Sequence, residues 1–191
     1  QMDSFEEPFE KQWMMHAVTK VITAHNILKS YDNVEKIGIC GVSWGGVITS
    51  IVLGFDTNYD FAVPIYGSGY LDMSLGTLGN YFRAEETKRN WLAQNNFDKL
   101  IMPCLWLCWN DDTSFSINSN SMSYKATKPL NPLTRLSMVN NMRHSQTAAA
   151  VREETYIFAD MICKNGDTFA EFETQPDKKE FECNIIYSDS I

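Results

Sequence analysis

This sequence predicts an α/β layer fold with a mostly parallel sheet, on three observations. Short apolar runs of strand length alternate with amphipathic stretches of helix length along most of the chain. One run, "LIMPCLWLCWN" at 100–110, is apolar on both faces, which suits a central parallel strand better than an edge. A Gly-rich bend, "GVSWGG" at 41–46, joins an apolar run directly to a helical stretch.

Taken in order, residues 9–29 read as a helix, because Met14, Ala17, Val18, Val21 and Leu28 fall on one stripe. Ser4 and Glu7 offer a capping-box pattern just upstream, and "SYDN" at 30–33 ends the helix. "EKIGICG" at 35–41 is a short buried strand. After the bend, Val47, Ile48, Ile51 and Val52 form one apolar helix face, and Gly45 and Gly46 are expected to let that helix approach the sheet closely. "YDFAVPIYG" at 59–67 is the next strand, and a mixed, partly helical stretch at 71–97 carries Tyr81, Phe82 and Trp91. Pro103 is tolerable near the entry of the 100–110 strand. Residues 116–127 are a weak helix, 135–142 a strand and 146–164 the closing helix, with Ala149, Ala150, Ile157 and Met161 among its apolar positions.

The tail has another period. Phe181, Cys183, Ile185 and Tyr187 alternate with Glu182, Asn184, Ile186 and Ser188, and "TFAEFET" can pair with them across the "QPDKK" turn. The expected organisation is therefore an α/β domain over 1–165 and a β-hairpin-like tail over 166–191, the possible start of an appended β module. No internal repeat or low-complexity tract interrupts it.

Composition narrows the function classes. The chain has 191 residues, 44% hydrophobic and 21% charged, with a formal net charge of −8. No Lys/Arg-rich cluster offers a nucleic-acid surface, and no apolar run is long enough to span a membrane. The five cysteines show no zinc-ligand spacing. Cys104 and Cys108 lie four apart on an expected strand, about 13 Å at about 3.3 Å per residue, too far to bridge each other. Neither a metal nor a cofactor is indicated.

Gly41-Val42-Ser43-Trp44-Gly45 matches G-x-S-x-G in the context that gives the motif meaning, after a strand and opening a helix. A serine at such a turn sits in a strained conformation beside the unsatisfied amides of a helix N-terminus, and the backbone N–H of Trp44 would face a developing oxyanion. Serine needs a base. His16 and His25 precede it, and His25 lies on the apolar stripe of the first helix, where a satisfied core histidine is the default. Only His144 follows Ser43, in a loop after an apolar strand. The orienting acid should leave the strand before, where "WNDDTSF" offers Asp111 and Asp112; Asp72 is a third candidate.

"NVEKIGICGVSWGGVITSIVLGFD", "AVPIYGSGYL", "PCLWLCWNDDTSFS" and "MRHSQTAAAVREETYIFADMICKNG" together resemble the acetyl xylan esterase and dienelactone hydrolase branch of the α/β-hydrolases, relatives of the prolyl-oligopeptidase-like serine hydrolases. The resemblance covers roughly 12–165 and places four motifs in order. It implies Ser43 as nucleophile and His144 as base. The spacing to Phe115 and Ser116 favours Asp112 as acid, whereas the Asn110-Asp111 pair points to the other residue. It further implies hydrolysis of acetyl or small acyl esters, with carbohydrate esters among the substrates, through an acyl-enzyme. A non-catalytic scaffold acting in assembly or binding, and a prolyl-oligopeptidase-like peptidase, are the alternatives.

In that fold several strands precede the elbow, but only about 35 residues do so here. The expectation is a C-terminal portion of such a domain, with "KIGIC" as an exposed apolar edge covered by a homo-oligomer contact or by a missing N-terminal segment.

Overall fold

The computed structural model describes residues 5–75, 78–172 and 185–186. Contacts divide the chain into two units, Gln1–Val151 and Arg152–Ile191. The first unit holds four parallel strands in the order β1 (Gly38–Val42), β2 (Phe61–Ile65), β3 (Leu105–Trp109) and β4 (Arg135–Val139). Helix α1 (Trp13–Lys29) precedes β1, and α2 (Trp44–Val52) crosses from β1 to β2. Between β2 and β3 run α3 (Gly79–Phe82), α4 (Glu85–Trp91) and the 3-10 stretches Leu71–Met73 and Ala93–Lys99. Helix α5 (Ile117–Thr127) leads to β4, and α6 (Gln146–Ala150) follows it.

Burial follows strand position. Every residue of β2 is buried, and β3 is buried through Cys108, while β1 and β4 hold only intermediate and exposed residues. The 100–110 run is thus an interior strand, flanked by β2 and β4. Flanking β1 on either side, Ile37 accepts from the Asp60 N–H at 2.9 Å and Ser43 donates to Ile65 O at 2.9 Å. In a parallel ladder alternate residues face the neighbour, so the backbone groups of Gly38, Cys40 and Val42 point away from β2. No strand among the described residues pairs with that outer edge.

Helix α1 starts later than its pattern suggests. A 3-10 turn at Phe9–Lys11 comes first, and Gln12 is the N-cap without a side-chain cap bond. The expected capping box does not sit at this start, and its Ser4 lies outside the described residues. Gln12 is instead buried, donating to Phe5 O at 3.2 Å and Glu7 O at 2.8 Å and accepting from the Trp91 indole at 2.5 Å. Met14, Val18 and His25 are the buried residues of α1, whereas Leu28 is exposed.

His25 behaves as a core residue. Its Nδ1 meets Asp56 Oδ2 at 2.6 Å, and its ring stacks on Tyr59 at 3.8 Å. Burial pushes the Asp56 carboxyl up, but hydrogen bonds from His25 and Asn58 outweigh it and hold its pKa below the ordinary 3.8. A depressed folded pKa stabilises above the unfolded value, and that contribution is lost as pH falls through the folded one. Asp56→Ala leaves the buried His25 Nδ1 unpaired and is expected to destabilise by about 1–3 kcal/mol at neutral pH. Urea unfolding should show the gap from the wild type closing below about pH 4.

Helix α5 explains its weak signal. Its buried face is Ser119, Asn120, Ser123 and Thr127, not an apolar stripe. Ser119 Oγ donates to Tyr70 O at 3.1 Å, Ser123 Oγ accepts from Gly69 N at 3.0 Å, and Thr127 Oγ1 accepts from the Trp106 indole at 2.9 Å. Hydroxyls satisfy buried loop and indole groups that an apolar face would leave unpaired.

The single helix expected over 146–164 is two. α6 is capped by Ser145 accepting from Ala148 N, and α7 (Glu153–Lys164) begins in the second unit after extended backbone at Arg152. Glu153 and Glu154 favour that new N-terminus electrostatically. Within the second unit Phe158 meets Phe169, and β5 (Glu171–Phe172) pairs antiparallel with β6 (Ile185–Ile186). The "QPDKK" turn and the flanking Phe181, Cys183 and Tyr187 lie outside the described residues.

Candidate active site

Three loops at the carboxyl ends of β1, β3 and β4 converge. At the first, Ser43 adopts φ 59°, ψ −120°, between the last residue of β1 and the first of α2. For a residue with a Cβ this is a strained, left-handed φ, which such turns hold only when the surroundings fix it. The fixing is visible at both ends of the residue. Its N–H is tied to Ile65 O at 2.9 Å and its carbonyl accepts from Val47 N at 3.0 Å. No acceptor among the described residues meets the backbone N–H of Trp44, the first residue of α2.

The glycines divide unequally. A Cβ on Gly41 would lie 2.1 Å from Gly45 O, and one on Gly46 2.7 Å from Ile65 O and 2.8 Å from Gly67 N. Gly45 is open, with nothing within 4 Å of a Cβ. The close approach of helix to sheet therefore depends on Gly46 and not on Gly45 as expected. Its counterpart is Gly67, just past β2, where a Cβ would fall 2.1 Å from Gly46 C.

The structure brings Ser43, His144 and Asp112 together. His144 Nε2 lies 2.7 Å from Ser43 Oγ, and His144 Nδ1 lies 2.7 Å from Asp112 Oδ2. Asp112 Oδ1 accepts from Ser114 N at 2.8 Å and Phe115 N at 3.0 Å. With one carboxylate oxygen turned to two amides and the other to the ring, Nδ1 carries the proton and Nε2 is left to accept the serine hydroxyl. The Asp112 side chain is 1% exposed and that of His144 30%, so the carboxylate is sealed and the imidazole is reachable.

The other sequence candidates lie elsewhere. Asp111 is exposed on the same turn. Asp72 accepts from Gln94 Nε2 at 3.0 Å. His16 is exposed on α1, and His25 with Asp56 sits past the far end of α2 from Ser43. Cys104 and Cys108 are poor nucleophiles: their thiols are pushed up to about 12, by burial in both and further by the Asp112 charge in Cys108.

Two side chains stack on His144 in a way the sequence did not indicate. Tyr66, fully buried with φ 57°, stacks on the His144 ring at 4.6 Å and donates from Oη to Arg143 O at 2.6 Å. Phe115, also buried, lies 5.6 Å from the same ring and within 10° of parallel. Phe115 was legible only as spacing around the acid. Tyr66 gave no signal, because nothing local marks a tyrosine that takes a left-handed turn at a strand end. The Trp44 ring is held by aromatics, edge-on to Trp13 at 5.3 Å and tilted to Phe82 at 5.8 Å.

Sheet order, crossover helices and the position of the strand-to-helix serine turn together define an α/β-hydrolase fold. Solved structures agree. The chain is similar to an acylaminoacyl peptidase of Pyrococcus horikoshii, with TM-score 0.63 and 15% identity, over 76% of this chain and 28% of the peptidase. It is similar to the Pyrococcus furiosus esterase Pf2001, with TM-score 0.56 and 17% identity, over 78% of this chain and 62% of the esterase. It is also similar to Est1E of Butyrivibrio proteoclasticus with ferulic acid bound, with TM-score 0.58 and 14% identity, over 83% of this chain and 70% of that one. No protein-family model and no curated protein matches the sequence. The chain thus has the α/β-hydrolase fold and spans less than two thirds of the length of the first two of these structures.

Proposed function

We propose that this chain carries the catalytic centre of a serine hydrolase acting on carboxylic esters. The observation that carries the reading is the continuous relay from Asp112 through His144 to Ser43, at 2.7 Å for each step. Ser43 Oγ attacks the ester carbonyl while His144 Nε2 takes its proton. The negative oxygen of the tetrahedral intermediate turns to the Trp44 N–H at the start of α2. His144 then returns the proton to the departing alcohol, and a water activated by the same nitrogen releases the acid. Asp112 holds the ring in the required tautomer and offsets the imidazolium charge.

Small acyl esters, acetyl esters among them, are the substrate class favoured by the sequence resemblance, and the Pyrococcus furiosus esterase among the similar structures supports ester chemistry more broadly. The test is labelling of the full chain with a fluorophosphonate, followed by a panel of acetyl and longer acyl esters. A single adduct on Ser43, and turnover of the short esters, is the expected result. A folded chain that takes no label would overturn the reading in favour of a non-catalytic scaffold.

A further inference from the structure

We infer that Tyr66 is a positioning residue for His144, setting the loop with its hydroxyl and the imidazole plane with its ring. This rests on reading His144 as the base. The loop before His144 is strained at two non-glycine residues, Asn141 at φ 55° and Arg143 at φ 64°. Such conformations persist only when something outside them holds the chain. The Tyr66 hydroxyl is that hold: it donates to the Arg143 carbonyl at 2.6 Å across 77 residues of sequence. Tyr66 is itself fixed, wholly buried, with its N–H on Leu107 O at 2.9 Å.

The ring has a separate effect. It lies 4.6 Å from the His144 ring and 28° from parallel, and Phe115 stacks on the same imidazole. Stacking leaves the ring one orientation in which Nδ1 meets Asp112 while Nε2 meets Ser43. The faces of Tyr66 and Phe115 also attract the positive charge that His144 acquires when it takes the serine proton, an interaction the neutral resting state makes only weakly. Through the Arg143 bond and the stack, Tyr66 acts on His144.

Two variants of the full chain separate hydroxyl from ring. Tyr66→Phe keeps the stack and loses the loop bond, and kcat on a short acyl ester is expected to fall roughly tenfold. Tyr66→Leu loses both, and kcat is expected to fall about 100-fold, as reacting groups drift by an ångström. KM stays constant in both. The spectroscopic readout is the His144 Cε1–H resonance, which ring currents shift upfield while the stack is intact. It should move downfield in Tyr66→Leu and hold its place in Tyr66→Phe.

Unchanged kcat in both variants, a loss appearing in KM alone, or a His144 resonance that ignores Tyr66→Leu would each overturn the inference. A wild-type chain that takes no fluorophosphonate would sink the proposed hydrolysis, and the resonance would still decide whether Tyr66 holds His144.

Discussion

Ser43→Ala is expected to abolish fluorophosphonate labelling and to lower ester turnover by about 10⁶-fold. The loss is large because the members of such a relay act as one unit. Without Oγ, the His144 nitrogen 2.7 Å away has no proton to take, and only binding and the amide of Trp44 remain. His144→Ala should cost about the same, and the two changes together no more than either alone. Asp112→Asn is expected to lower kcat by about 10⁴-fold, because an amide in its place lets the ring take the wrong tautomer. Asp111→Asn should leave turnover unchanged, since that side chain is exposed on the turn and does not meet His144. Comparable losses in both aspartate variants would show that the acid is not assigned by this geometry. Steady-state rates on one short acyl ester, with intact mass after labelling, check all five variants.

The second large effect is at a residue outside the motif. Gly67→Ala places a methyl carbon 2.1 Å from Gly46 C and 2.2 Å from Val47 N. Both atoms are backbone, so no side chain can swing away and the first turn of α2 must shift. Gly67 has no positive φ, so the cost is one of space and not of backbone conformation. Destabilisation of about 1–3 kcal/mol is expected from the overpacking. The sharper consequence is displacement of Ser43, whose N–H is tied to Ile65 O two residues before Gly67. Labelling should slow by about 100-fold or more while the far-ultraviolet circular dichroism stays native. A labelling rate equal to the wild type would mean that the contact relaxes without moving the elbow. Gly45→Ala is the matched control, since a Cβ there meets nothing within 4 Å.

The sheet and its order of elements were legible because apolar periodicity reports burial, and burial separates strands from crossover helices. The both-face apolar run around Trp106 marked an interior strand, and β3 lies between β2 and β4. Helix α5 was faint for the complementary reason. Its buried face is made of hydroxyls whose partners, Tyr70 O, Gly69 N and the Trp106 indole, belong to other elements. The break between α6 and α7 was hidden within a continuous helical pattern, where no Gly or Pro announces it.

Of the site, the serine turn was legible along the chain, because a strained serine between strand and helix imposes small neighbours within a few residues. The sequence also singled out His144, as the one histidine after that turn. Between Asp111 and Asp112 the sequence offered two signals that disagree, and the tertiary structure adds the geometry: both leave the same strand, and the Asp112 carboxylate meets Nδ1 while accepting two amides. The tertiary structure alone set Gly46 against Gly67 and Tyr66 against the loop of His144. Those pairings are made by parallel strand ends brought side by side, and contacts across strands leave no periodic trace along the chain.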